Sequence, residues 1–139
     1  MWRRKKQVRR GTIFAMAKRA GRTSPQLADA FRRTALSMPG AVEGAHMGHA
    51  DFRAGGIFAT LNHDETLGVV MLTPEEQQEF VRAHPSMFAP VKGGWGANGA
   101  TNVILTEADD TALYESIQAA WRRISAKSAK PRPRKRPLQ

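Results

Sequence analysis

The sequence predicts an α+β fold: a single two-layer domain in which an antiparallel sheet packs against helices, flanked by disordered basic tails. Three observations predict it. Two stretches repeat apolar residues at helical spacing, a capping box marks a third helix between them, and short β-type runs bounded by glycine fill the intervals. The β-type runs of residues 45–72 are separated by only two to four residues, a spacing that suits antiparallel neighbours rather than long crossovers. Charge is also sharply divided along the chain.

Residues 1–22 carry nine Lys/Arg and no acid, and residues 125–139 carry six and no acid. Seven basic residues remain between them against all twelve acidic ones, so the net +10 of the chain becomes −5 in its middle. The positive field that draws in phosphate therefore belongs to the ends. The expected division is residues 1–22 as a basic flexible extension, 23–125 as the folded domain and 126–139 as a Pro/Lys/Arg-rich disordered tail. At 139 residues the chain has length for one domain with a real core. It has no cysteine, which removes disulfides, thiolate metal sites and a cysteine nucleophile, and suits a reducing, cytoplasmic setting. No run approaches the roughly 18 apolar residues of a membrane span, so no membrane partner is expected. Ile13-Phe14-Ala15-Met16-Ala17 is too short for a secretory h-region. The acid-free leader also matches an organellar transit peptide, and Met16 offers an alternative start.

The elements follow in order. Ser24 and Pro25 suit an N-cap and first helical position, and Leu27, Phe31, Ala35 and Met38 repeat at helical spacing until Pro39-Gly40 ends the run. Strands are expected at 45–47, 51–54, 57–62 and 67–72, with Gly55-Gly56 and His63-Asp64-Glu65-Thr66 as connections. Within the third, Ile57, Ala59 and Leu61 fall on one face. Thr73-Pro74-Glu75-Glu76 is a capping box that opens a helix over 74–83, closed by His84-Pro85. A glycine-rich loop over 88–99 leads to a strand at 101–106. The last helix starts near Asp109 or Asp110, whose carboxylates favour a helix N-terminus, and its stripe is Leu113, Ile117, Trp121 and Ile124. No internal repeat is present.

An ordered set of residues then points to a family. It runs from Ala35-Leu36-Ser37-Met38-Pro39-Gly40 through Glu43-Gly44, His46-x-Gly48-His49 and Asp51-Phe52-Arg53 to Gly56-Ile57-Phe58-Ala59-Thr60-Leu61. Leu72-Thr73-Pro74-Glu75-Glu76, Gly94-Trp95-Gly96, Val103, Leu105 and Trp121-Arg122 complete it. Over about residues 27–124 the chain resembles the MmcQ/YjbR family. The resemblance implies a compact α+β domain related to frataxin-like folds, with an arrangement described as double-wing and DNA-binding. Met47 departs from it, standing where the family often has an aromatic residue.

Candidate site residues are His46, His49, Arg53, Lys92 and Trp95, together with Lys130, Arg132, Arg134, Lys135 and Arg136 of the tail. Trp95, set among Gly93, Gly94, Gly96 and Gly99, has two readings. It is a lid folded back over the sheet, as the burial of large aromatics favours, or an indole face offered to a base or another flat ligand. His46 and His49, near Asp51, are residue types that suit a metal. On a continuous strand, however, they face opposite sides, and Gly48 must bend the chain to unite them. They are read as a hydrogen-bonded pair or ligand contact, with no metal and no cofactor expected. His63 and His84 fall at turns and are expected in solvent. Arg53 and Lys92, with His46, His49 and Trp95, would line one concave anion-binding surface, although each cation taken singly reads as a solvated charge. The tail composition suits non-specific phosphate binding. No G-x-S-x-G is present, and the glycine loop lacks the Lys-Ser/Thr of a P-loop, so no catalysis is expected. The leading expectation is a monomeric, non-catalytic nucleic-acid-binding protein. A small-ligand or protein-binding module is the alternative, motivated by the acidic middle.

Overall fold

A computed structural model describes residues 24–129, with the side chains of Ser24, His46, Ser128 and Ala129 excepted. The basic extension and the tail residues 130–139 lie outside the described residues. Helix α1 (Ser24–Leu36) leads into a meander of β1 (Val42–His46), β2 (His49–Arg53), β3 (Ile57–Leu61) and β4 (Leu67–Met71). Helix α2 (Pro74–Ala83), strand β5 (Phe88–Pro90), the short helix α3 (Gly94–Ala97) and strand β6 (Ala100–Ile104) follow. A 3₁₀ turn (Leu105–Glu107) and helix α4 (Asp110–Ala129) complete the order. The six strands form one antiparallel sheet, β1-β2-β3-β4-β6-β5. The fold is α+β, as the hydrophobic periods predicted.

Helix α4 lies along β3 and β4, α1 packs against α4, and α2 sits beside β5 and β6. Phe31, Phe52, Phe58, Phe88, Leu61, Leu72 and Ile117 are among the fully buried side chains between these layers. Each is worth about 1.5–3 kcal/mol of transfer free energy. Gly68 on β4 sets the distance between helix and sheet. A Cβ there would stand 2.4 Å from the Phe31 ring, so the ring lies directly on bare backbone. Phe31 in turn meets Phe52 at a tilted 6.1 Å between ring centres. The second helix has the predicted bounds, because its capping box is complete. The Thr73 hydroxyl accepts from the Glu76 N–H, and the Glu76 carboxylate accepts from the Thr73 N–H.

Several expectations shift. Strand β1 begins at Val42, three residues before the expected 45, because Val42 and Glu43 pair with Arg53 and Phe52 across the hairpin. Only Met47 and Gly48 form the turn, both at positive φ (52° and 85°), as a two-residue hairpin loop requires. Ile57 is 38% exposed and Phe58 is fully buried, which inverts the expected face at that end of β3. The cause is a bulge: Phe52 pairs with Ala59 and Arg53 with Ile57, so Phe58 is the extra residue. The glycine-rich stretch is not a bare loop, since Phe88–Pro90 pairs with β6 and Gly94–Ala97 makes one helical turn. The expected strand over 101–106 runs over Ala100–Ile104 and then tightens into the 3₁₀ turn. Helix α4 opens on Asp109, whose carboxylate accepts from the Ala112 N–H, and continues to Ala129, four residues past the expected end at Ser125.

Candidate functional site

The first corner is the β1–β2 hairpin. Its pairing makes His46 and His49 register partners across the Met47-Gly48 turn, so Gly48 does bend the chain back as the spacing demanded. His63, in the β3–β4 connection, comes close: a Cβ on Gly48 would lie 3.9 Å from its Nδ1. His63 is exposed as expected, but His84 is half-buried, with its ring 6.0 Å from that of Phe88. Among the described residues, no group of three His, Asp or Glu is arranged to hold a metal ion.

Period two places His49, Asp51 and Arg53 on one face of β2. Asp51 is fully buried, and its two oxygens accept from Arg53 Nε at 2.8 Å and Nη2 at 3.0 Å. This two-pronged hydrogen bond holds the Arg53 guanidinium above its ordinary pKa, so the group stays charged. Gly44 stands opposite Asp51 in β1, and a Cβ there would come within 2.9 Å of Asp51 Oδ1. The cation offered as an anion contact is therefore the lid of a buried carboxylate. The Asp-x-Arg spacing carried that signal in the sequence. Glu43 is tied in the same way, with its carboxylate accepting from Arg32 Nε at 3.1 Å, while Arg32 Nη2 reaches Glu65.

The second corner is the turn carrying Trp95. The indole is 61% exposed, so the lid reading is corrected: the aromatic points away from the core. Its glycines explain why. Gly93 enters the turn at φ +83°, and Gly99 leaves it at φ +112° with its backbone against the Leu72 carbonyl. Gly96 packs so closely that a Cβ would stand 1.5 Å from the Val91 carbonyl oxygen. Gln77, buried on α2, donates through Nε2 to the Gly96 carbonyl at 2.9 Å and the Ala100 carbonyl at 3.0 Å. The turn is thus clamped from below while the indole stands free above it. Beside it, Gln77, Gln78, Val81, Arg82 and Pro90 line an open depression of about 340 Å³. Lys92 is exposed just before the turn. Gln77 was not singled out from sequence, although a polar side chain just ahead of Phe80 and Val81 on the packed side of α2 is a legible anomaly.

These corners do not form one surface. His46, His49 and Arg53 belong to β1 and β2 at one edge of the sheet, and Lys92 and Trp95 follow β5 at the other. Four strand spacings, about 19 Å, separate β2 from β5. The tail candidates Lys130, Arg132, Arg134, Lys135 and Arg136 lie outside the described residues. Within residues 24–129, eight Lys/Arg face twelve Asp/Glu, a net of −4. Arg32, Arg33 and Arg53 are each paired to a carboxylate. Arg82, on the rim of the depression, and Lys92, just before the Trp95 turn, are by contrast exposed. Among the described residues, no helix is long and apolar enough to cross a membrane.

Known proteins can be set beside this geometry. The YjbR family model matches residues 36–123, a span that includes both corners. The chain is similar in fold to the crystal structure of the Deinococcus radiodurans protein DR2400, which carries a DUF419 domain. The TM-score is 0.64 at 19% identity, over 78% of this chain and 85% of that one. No curated protein matches the sequence.

Proposed function

The chain belongs to the YjbR family, and from that premise we propose that it is a non-catalytic, monomeric, cytoplasmic module that binds single-stranded nucleic acid at the Trp95 corner. The observation that carries the reading is the indole, 61% exposed on a turn that Gln77 holds in place. An aromatic face fixed in advance loses little entropy when a base stacks on it, and such stacking contributes about 1–3 kcal/mol per base. Lys92, three residues before the indole, is exposed and supplies a phosphate contact, and the acid-free terminal sequences add sequence-independent affinity. Stacking needs an unstacked base, so a single strand is the favoured form. The net −4 of residues 24–129 disfavours a duplex, whose charge density is higher.

The test is titration of a fluorescent single-stranded oligonucleotide and its duplex into the full chain, across a salt series. Trp95→Ala is expected to weaken single-strand binding roughly 10-fold at every salt concentration, as loss of one stacked base implies. Lys92→Ala is expected to flatten the slope of log K against log salt by about 0.7, the single-strand value for one phosphate. Unchanged single-strand affinity in Trp95→Ala would sink the reading. The open depression beside Pro90 favours a second reading, a small-ligand or protein site. That reading gains if the oligonucleotide fails to bind.

A further inference from the structure

We propose that β1 is a strand-addition site, and that it takes an extended segment of a partner protein with an acidic side chain opposite Gly44. The hairpin decides which way the backbone of β1 points. Its two-residue turn makes His46 and His49 a hydrogen-bonded pair, so Val42, Gly44 and His46 bond to β2. The N–H and C=O groups of Glu43 and Ala45 therefore point out of the sheet edge. Among the described residues, β1 pairs with β2 alone. Such a row of unpaired groups is a template for another strand, and proteins normally blunt it. The far edge is blunted: β5 has three residues and ends on Pro90, which lacks an N–H. Strand β1 has five residues and neither proline nor lysine. Its acid, Glu43, is already paired with Arg32.

The acidic preference comes from Arg53. Glu43 reaches Arg32 on α1, so Val42 and Gly44 lie on the opposite face of the strand, with Asp51 and Arg53. A Cβ on Gly44 would lie 2.9 Å from Asp51 Oδ1 and 3.5 Å from Arg53 Cζ, so the ion pair leans over the edge strand. Asp51 takes hydrogens from Nε and Nη2. The Nη1 donors, on the side away from that carboxylate, have no acceptor among the described residues. Arg32 shows that a guanidinium in this fold bridges two carboxylates, with Nε on Glu43 and Nη2 on Glu65. A partner residue opposite Gly44 would stand about 5 Å across the ladder. A Glu side chain closes that gap and reaches Nη1. Two residues further along an antiparallel partner, a side chain meets exposed Val42, so an apolar residue fits there. The expected segment reads Glu-x-Val or its like, in an otherwise neutral frame. The net −4 of residues 24–129 disfavours further acids.

Neither the ends of this chain nor a second copy supplies that side chain. Residues 1–22 and 125–139 contain no acid. When two β1 strands pair antiparallel, outward-bonding residues must meet outward-bonding residues. Gly44 would then face Val42, Gly44 or His46 of a second copy, and none of these is a carboxylate. The occupant is therefore a different polypeptide, held by main-chain bonds and selected by its side chains. This edge is separate from the Trp95 corner and does not depend on nucleic-acid binding.

The probe is a capped peptide, acetyl-Ser-Thr-Thr-Glu-Thr-Val-Thr-Ser-amide, added to the ¹⁵N-labelled full chain. The readout is amide hydrogen exchange along β1. In the free chain Glu43 and Ala45 should exchange fast, while Gly44 between them is protected by β2. Peptide at about nine times its dissociation constant should slow Glu43 and Ala45 roughly 10-fold and leave Gly44 unchanged. Gln in place of the peptide's Glu should weaken binding about 10-fold or more, as loss of a charge-assisted bond implies. Ala45→Pro removes an outward donor at an edge position that proline tolerates, and should abolish binding. Absence of protection, equal affinity for the two peptides, or undiminished binding to Ala45→Pro overturns the proposal. So does protection of Glu43 and Ala45 in the free chain. The occupant would then be the chain itself, or a second copy where protection rises with protein concentration.

Discussion

Gly94 and Gly96 stand two residues apart in the Trp95 turn, yet they differ in what surrounds them. Nothing lies within 4 Å of a Cβ on Gly94, and its φ is not in the left-handed region. A Cβ on Gly96 would overlap the Val91 carbonyl. Gly96→Ala should therefore destabilise the protein by about 2 kcal/mol or more, since backbone must move to admit the methyl group. Gly94→Ala should be neutral or stabilise by about 0.4–1 kcal/mol, because it narrows the unfolded ensemble without native strain. Urea unfolding of the two variants checks both directions. The sequence could place four glycines around one tryptophan. It could not say which glycine is sterically required, because the obstructing atoms belong to Val91 and to Leu72, twenty-seven residues before Gly99. Asp51 and Arg53 were half legible for a related reason. Their period-two spacing put them on one face, but burial of the carboxylate depends on what surrounds it in the folded chain.

At the scale of elements, α2 was legible to its last residue, because a capping box and a Pro stop are local instructions. Its role as the clamp of the Trp95 turn was not legible. That role runs through Gln77, which ties α2 to carbonyls nineteen and twenty-three residues away. Gln77→Leu keeps the packing volume but removes the donor, and should cost about 1–2 kcal/mol. It should also loosen the turn, seen as faster hydrogen exchange at the Asn98 and Gly99 amides, whose bonds close it. Equal exchange in wild type and variant would show that the clamp is unnecessary. The β3 bulge has the same lesson in smaller form: alternation predicted one buried face, and a single unpaired residue moved Phe58 inward and Ile57 outward.

Across the whole molecule, the contact between Gly68 and Phe31 fixes how closely the helical layer lies on the sheet. Gly68→Ala must push α1 off β4 or rotate the ring, and a loss of about 1–3 kcal/mol is expected, read as a lower melting temperature. A wild-type melting temperature would mean that the layer yields without penalty. The same scale separates what the chain states outright from what folding adds. By itself the sequence determined the α+β class, the antiparallel meander, the bounds of α2 and the division of charge. Each of these rests on periodicity, capping or composition within a few neighbouring residues. Tertiary structure alone decided that β6 inserts between β4 and β5, and that the two candidate corners lie on opposite edges of the sheet. It also decided that Arg53 is occupied by Asp51 and that Trp95 stands exposed. Those outcomes depend on pairings between residues far apart in the chain, and local pattern does not encode which distant group will arrive.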